Sequence, residues 1–266
     1  MPDKSIALLI PVHNGQETLE KSILSIRGED KDIVDIIVVD DGSAEPVTLD
    51  RLRDYNITLL RLPENQGIQH SLNAGLKYIL QKDYLYTARL DAGDAIIAGR
   101  FLKQKNFLDS HPDHAIVGSW ARMVTSSGDL QFIWQPPVSD AGIQNKMHMS
   151  TCFCHPAVMM RNSAVRQTTL YSSHYSVAQD YDFFFRLLKV GKGANLPEPL
   201  VSYEVMNPAA LSYKKRRRQL TNRLKIQGTY FDFKNIYSYA GVAKTLVSLI
   251  LPYSLIHVLK TIVRRP

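Results

Sequence analysis

Three short segments hold the side chains best suited to chemistry: Asp40-Asp41-Gly42-Ser43, Arg89-Leu90-Asp91-Ala92-Gly93-Asp94 and Gln179-Asp180-Tyr181-Asp182. Carboxylates grouped this way bind hard divalent cations through oxygen, or accept a proton from a hydroxyl group. One Asp-Gly pair by itself reads as a turn, since both residues form turns readily. Position gives the clusters more meaning. Apolar runs at residues 6–10, 33–39, 57–62 and 84–90 predict buried strands, and helical patterns at 17–26, 49–53 and 68–80 lie between them. Such alternation predicts βαβ units and a largely parallel sheet. Right-handed crossovers then bring the strand C-termini to one edge, where open α/β sheets bind ligands. The loops leaving those ends are Pro11-Val12-His13-Asn14-Gly15, Asp40-Asp41-Gly42-Ser43, Asn65-Gln66-Gly67 and the Arg89-to-Asp94 segment. Four polar loops at one edge predict a site for a polar ligand with a metal ion.

The second half is less regular. A helix is expected at 100–110, a strand at 115–119 and a hairpin at 123–134 turning on Ser126-Ser127-Gly128-Asp129. A strong helix follows at 178–190 and a last strand at 197–203. Cys152, Cys154 and His155 resemble a zinc set only superficially, because a structural zinc needs four ligands and usually wider cysteine spacing. The two cysteines flank Phe153 and are expected in a strand. A chain with only two cysteines has no disulfide framework, which points to a reducing compartment.

The net charge of +7 is unevenly spread. Residues 211–266 hold twelve Lys and Arg against one acid, Asp232, a surplus of +11; residues 1–210 hold 20 bases and 24 acids, or −4. The basic run Lys214-Lys215-Arg216-Arg217-Arg218 raises nucleic acid as a partner, but no nucleic-acid motif accompanies it and the body is acidic. Residues 241–265 have the composition of an interfacial helix pair broken at Pro252, lying on anionic lipid. The alternative is a helix packed on the protein's own core. The start of the chain lacks signal-peptide features, and no run reaches the roughly 18 apolar residues of a membrane span.

The four loops, with Leu72-Asn73-Ala74-Gly75-Leu76, Arg100-Phe101 and Gln104, His111-Pro112, His155-Pro156-Ala157 and Gln179-Asp180-Tyr181-Asp182, occur in one order along the chain. That ordered set resembles the family 2 inverting glycosyltransferases of the bacterial polysaccharide and O-antigen type. The resemblance implies the GT-A (nucleotide-diphospho-sugar transferase) fold, an α/β architecture with a Rossmann-like, mostly parallel central sheet and flanking helices. It also implies a layout: a catalytic domain at 1–210, with a nucleotide-sugar half at 1–95 and an acceptor half at 96–210, then a basic amphipathic tail of helices at 211–266.

The implied activity is transfer of a sugar from a nucleotide-diphosphate donor to a hydroxyl. UDP or dTDP sugars are favoured as donors. The acceptor would be a lipid-linked glycan in cell-surface polysaccharide synthesis, with the enzyme cytoplasmic and peripheral on the inner face of the cell membrane. Pro11, Val12, His13, Asn14, Asp40, Asp41, Asn65, Arg89 and Asp91 would bind the nucleotide sugar. Asp91 and Asp94 would hold Mg²⁺ or Mn²⁺, which neutralises a departing diphosphate. Gly93 stands where the family has the second metal aspartate, which weakens that expectation. Asp180 would be the general base, and His155 and Asp182 would face the acceptor or a phosphate. Structural alternatives stay open: turn or helix capping for Asp40 and Asp94, helix-dipole stabilisation for Asp180, and a packing role for His155. A nucleotidyltransferase and a non-catalytic nucleotide-sugar-binding scaffold are the competing functions.

Overall fold

The computed structural model describes residues 5–205 and 215–251. The break expected at Pro252 and the residues after it lie outside that range. Strand β1 (Ile6–Val12) is apolar along its whole length and buried at every position. It sits between β2 (Val34–Asp40) and β4 (Tyr86–Arg89), parallel to both, and β3 (Ile57–Arg61) extends the parallel set beyond β2. This half of the sheet matches the βαβ expectation. The rest is mixed. Short β8 (Met159–Arg161) runs antiparallel between β4 and β6 (His114–Val124). The long β9 (Lys192–Glu204) runs parallel to β6 and carries the two-residue β5 (Ala95–Ile96) on its far side. The hairpin is present: β7 (Leu130–Trp134) returns along β6 through a turn in which Gly128 N–H donates to the Thr125 carbonyl.

Alternation along β1 and β2 divides the core into two layers. Ala7, Leu9, Ile37 and Val39 face α3 (Ile68–Leu80), which offers Leu72, Leu76 and Ile79 at helical spacing. Ile6, Leu8, Ile10, Ile36 and Val38 face the other way, against α1 (Gln16–Leu24) and α4 (Arg100–Ser110). Between them lies α2 (Glu29–Ile33), whose buried Asp30 caps α4: its carboxylate accepts from the backbone N–H groups of Gly99, Arg100 and Phe101 at 2.8 to 3.2 Å. The helix expected at 49–53 is a single 3₁₀ turn at Asp50–Leu52. Five residues are too few to repay the cost of nucleating an α-helix.

The first layer continues through α5 (Asp140–Met147), α6 (Asn162–Val165) and α7 (Gln179–Leu188). Helix α7 buries Tyr181, Phe183, Phe184, Phe185, Leu187 and Leu188, each large apolar side chain contributing about 1.5–3 kcal/mol. Residues 152–154 form no strand; both cysteines sit buried in irregular backbone ahead of a 3₁₀ turn at His155–Ala157. Helices α8 (Arg216–Thr229) and α9 (Ile236–Ile250) close the described chain.

Candidate active site

The loops after β1 and β2 are zipped together. Asp41 N–H donates to the Val12 carbonyl at 2.8 Å, His13 Nδ1 lies 2.9 Å from the Asp41 carbonyl, and Asn14 exchanges bonds with Ser43 and Ala44. Asp40 is fully buried and acts inside the loop. Its carboxylate accepts from Ser43 N–H at 2.9 Å and from the Arg61 guanidinium at 2.8 Å. Burial pushes this carboxyl up, but bonds from Ser43 and Val47 and the Arg61 charge outweigh it and hold the group below its usual range. Asp41 reaches across to the lead-in of α3, accepting from Gln66 N–H at 3.0 Å and Gly67 N–H at 2.9 Å. Gly42, at φ +62, is required here: a Cβ would stand 2.3 Å from the Glu64 carbonyl carbon. Pro11 is buried behind this pair of loops, and Asn65 is exposed beside it.

Arg89 ends β4 with no exposed surface. Its guanidinium donates to the Leu9 carbonyl, to Asp91 Oδ1 at 2.6 Å and, from Nε, to His155 Nε2 at 3.4 Å. The Tyr171 hydroxyl lies 2.8 Å from the same His155 nitrogen. Burial first, then the Arg89 charge, pushes the imidazole below its usual range, which favours the neutral ring. Tyr171 is itself fixed by Asn73 of α3, whose side chain bonds the Tyr171 N–H and carbonyl at 2.9 and 2.8 Å. The chain Asn73–Tyr171–His155–Arg89–Asp91 joins four separate elements. Behind it Arg100, fully buried and pushed down to about 9 by that burial, donates to the Arg89 and Val158 carbonyls. Gln104 holds the Ala157 carbonyl at 2.8 Å. The Arg100–Gln104 pair thus positions the His155 segment.

Gly93 has φ +110, a conformation that leaves an L side chain strained, so the missing aspartate matches the backbone. Asp94 does not cap the next helix; Gly99 and Asp30 occupy that place. The Asp94 residue is 5% exposed, accepts from Glu204 N–H through Oδ1 at 3.1 Å, and has no partner on Oδ2. Burial, then the nearby Asp91 charge, pushes its carboxyl well above the usual carboxylate range.

Asp180 stands in the first turn of α7, half-buried, after Ala178 in a left-handed conformation. After burial, and behind the charges of Asp94 and Asp91, its charge helps to raise the half-buried Tyr203 hydroxyl and the buried Cys154 thiol. Asp182, two residues further along, is engaged elsewhere. It pairs with Arg186 at 2.8 Å and accepts from the Tyr230 hydroxyl at 3.0 Å. Among the described residues no group of three or more His, Cys, Asp or Glu side chains stands ready to enclose a metal. Burial also pushes the Cys152 thiol up to about 12.

Sequence reasoning missed Tyr171 and Tyr203. Neither belongs to a motif, and an irregular segment or a long, bulged strand brings each to the site.

The model for "Glycosyl transferase family 2" matches residues 7–169 of the chain. The putative glycosyltransferase EpsE of Bacillus subtilis (strain 168) is 28% identical over 259 residues, covering 93% of this chain and 90% of that one. The amylovoran biosynthesis glycosyltransferase AmsE of Erwinia amylovora is 27% identical, covering 73% and 74%. Among solved structures, S. aureus TarS 1-349 in complex with UDP matches with a TM-score of 0.65 at 17% identity, covering 91% of this chain and 70% of that one. The mannosyltransferase PcManGT of Pyrobaculum calidifontis, in complex with GDP-Man and Mn²⁺, matches with a TM-score of 0.64 at 15% identity, covering 92% and 69%. At such identities these structures speak to the fold, which is the GT-A fold. Neither competing function is favoured by these matches. The chain belongs to glycosyltransferase family 2 and is a glycosyltransferase.

Proposed function

We propose that the enzyme transfers a sugar, with inversion, from a nucleoside-diphosphate donor to a hydroxyl of a lipid-linked glycan during cell-surface polysaccharide synthesis. The observation that carries this reading is at the end of β4, where fully buried Arg89 pairs with Asp91 at 2.6 Å and Asp94, three residues on, keeps a buried carboxylate oxygen without a partner. In this reading Asp180, in the first turn of α7, is the third carboxylate of the same site. The loops around Asn14, Asp41 and Asn65 bind the nucleoside of a UDP or dTDP sugar, and Arg89 with Asp91 meets its diphosphate. The UDP complex of TarS supports a nucleotide sugar as donor, and the amylovoran relative supports a polysaccharide product.

Asp180 takes the proton from the acceptor hydroxyl as its oxygen attacks the anomeric carbon and the bond to the diphosphate oxygen breaks. The buried, unpartnered Asp94 Oδ2 beside Asp91 suits a hard cation. Asp91 and Asp94 would hold Mg²⁺ or Mn²⁺, the substrate diphosphate completing the ligand set, and the ion supplies charge neutralisation of the leaving group. The Mn²⁺ complex of PcManGT is consistent with this use. The basic stretch 211–266 keeps the enzyme on the anionic inner face of the cell membrane.

Asp180→Asn is expected to lower transfer about a hundredfold or more while the donor still raises the melting temperature. Near-normal turnover in that variant would remove Asp180 from the role of base.

A further inference from the structure

Helix α9 is inside out. A helix on a globular protein buries its apolar stripe and exposes its polar face. In α9 the buried residues are Ser238, Gly241 and Thr245. Thr245 donates to the Gln227 side chain at 2.9 Å, and Gly241 lies so close to the His148 carbonyl that a Cβ there would stand 2.4 Å from it. The opposite arc holds Ile236, Tyr239, Ala243, Leu246, Val247 and Ile250, spaced at three, four and seven residues, and all are exposed. Phe233 in the preceding turn is 81% exposed, Ile236 72% and Ile250 80%. Six of the eleven large apolar side chains exposed among the described residues fall within 233–250. Scattered exposed apolar residues are ordinary; a continuous stripe marks a contact surface.

We infer that this stripe is a membrane anchor: α9 lies in the plane of an anionic bilayer with its Ile236–Ile250 face in the boundary between headgroups and acyl chains. Three observations favour lipid as the occupant. Residues 233–266 contain five Lys and Arg and no acid, so the sequence that carries the stripe is cationic throughout. Lys234 and Lys244, both exposed, border the stripe. A helix of 15 residues is about 22 Å long, short of the roughly 30 Å hydrocarbon core, and no described helix is long and apolar enough to cross a membrane. This deepens the membrane reading given above and borrows from it only the purpose of docking; docking itself needs no catalysis.

The test is flotation of the full chain, without donor or acceptor, on vesicles of phosphatidylethanolamine with phosphatidylglycerol, and on phosphatidylcholine alone. The unaltered chain is expected to float with the anionic vesicles. Ile236→Ser, Val247→Ser and Ile250→Ser together should reduce flotation about tenfold or more. Leu130→Ser with Ile133→Ser on β7 should leave it unchanged. Asp180→Asn should float normally, so failure of docking and failure of transfer are read separately. If the triple variant loses helix, Val247→Cys carrying a polarity-sensitive dye decides: a blue shift on vesicles supports insertion, and none overturns it. The inference is also overturned if the unaltered chain fails to float, if it floats equally with neutral vesicles, or if the triple variant floats undiminished. Self-association in place of flotation would assign the stripe to a second copy and overturn it as well.

Discussion

Asp94 carries a carboxylate oxygen that nothing meets, in a place where burial and Asp91 both oppose its charge. Its folded pKa is therefore raised above the unfolded value. For an acid with that sign, the stabilising contribution is complete below the unfolded pKa. It fades as pH rises through the folded one, by about 1.4 kcal/mol for each pH unit between the two. In chelator, Asp94→Asn should melt at a higher temperature than the unaltered enzyme at neutral pH, with the difference closing towards pH ~4. Adding Mn²⁺ with nucleoside diphosphate should raise the melting temperature of the unaltered enzyme and do less for the variant. A variant with an unchanged pH slope would show that Asp94 is not the destabilised acid. Much of this site was legible because its residues end apolar runs: Asp40, Asp41, Arg89 and Asp91 are where strand periodicity stops. What was not legible is the division of labour. Asp40 is consumed inside its own loop by Ser43 and Arg61, and Asp182 by Arg186 and Tyr230. Tyr171 reaches His155 only because Asn73, 98 residues earlier, holds its backbone.

At the scale of elements, the catalytic geometry hangs on how α7 begins. Ala178 precedes the helix at φ +62, ψ +22, a left-handed conformation that costs an L residue about 1–2 kcal/mol. The strain persists because Tyr181, Phe183 and Phe184 are locked in the core, so the first turn cannot rotate away. Ala178→Gly should relieve it and stabilise the fold by about 0.5–1 kcal/mol after glycine's own entropy loss. A thermal melt should show a rise of about 2 °C; a fall would mean that the Ala178 methyl packs usefully. The helix itself was readable from its aromatic face, and the four parallel strands from their alternation with helices. The strands β5 and β8 were not, since two or three residues carry no period. The long β9 was foreseen only in its second half: register shifts opposite Ser119 and Trp120 interrupt its pattern.

For the whole molecule, composition draws a border near residue 210, with an acidic body on one side and a basic tail on the other. Packing does not follow that border. Helix α8 buries Asn222, Ile226 and Gln227 against the body. Asn222 donates to the Val177 carbonyl at 2.9 Å, just ahead of the strained turn, and Arg223 donates to the Met149 carbonyl at 2.7 Å. Tyr230 stacks on Phe185 with ring centres 4.3 Å apart and meets Asp182 through its hydroxyl. These contacts brace the helix whose first turn carries Asp180. Burying Ile226 is worth about 1.5–3 kcal/mol and the half-buried Tyr230 adds to it, a sizeable share of the stability of an ordinary domain. A chain ending at Val205 should therefore unfold at a clearly lower urea concentration than the full chain and lose transfer even to a water-soluble acceptor. If the tail served the membrane alone, the shortened chain would keep its urea midpoint and its activity on that acceptor, and only vesicle binding would disappear.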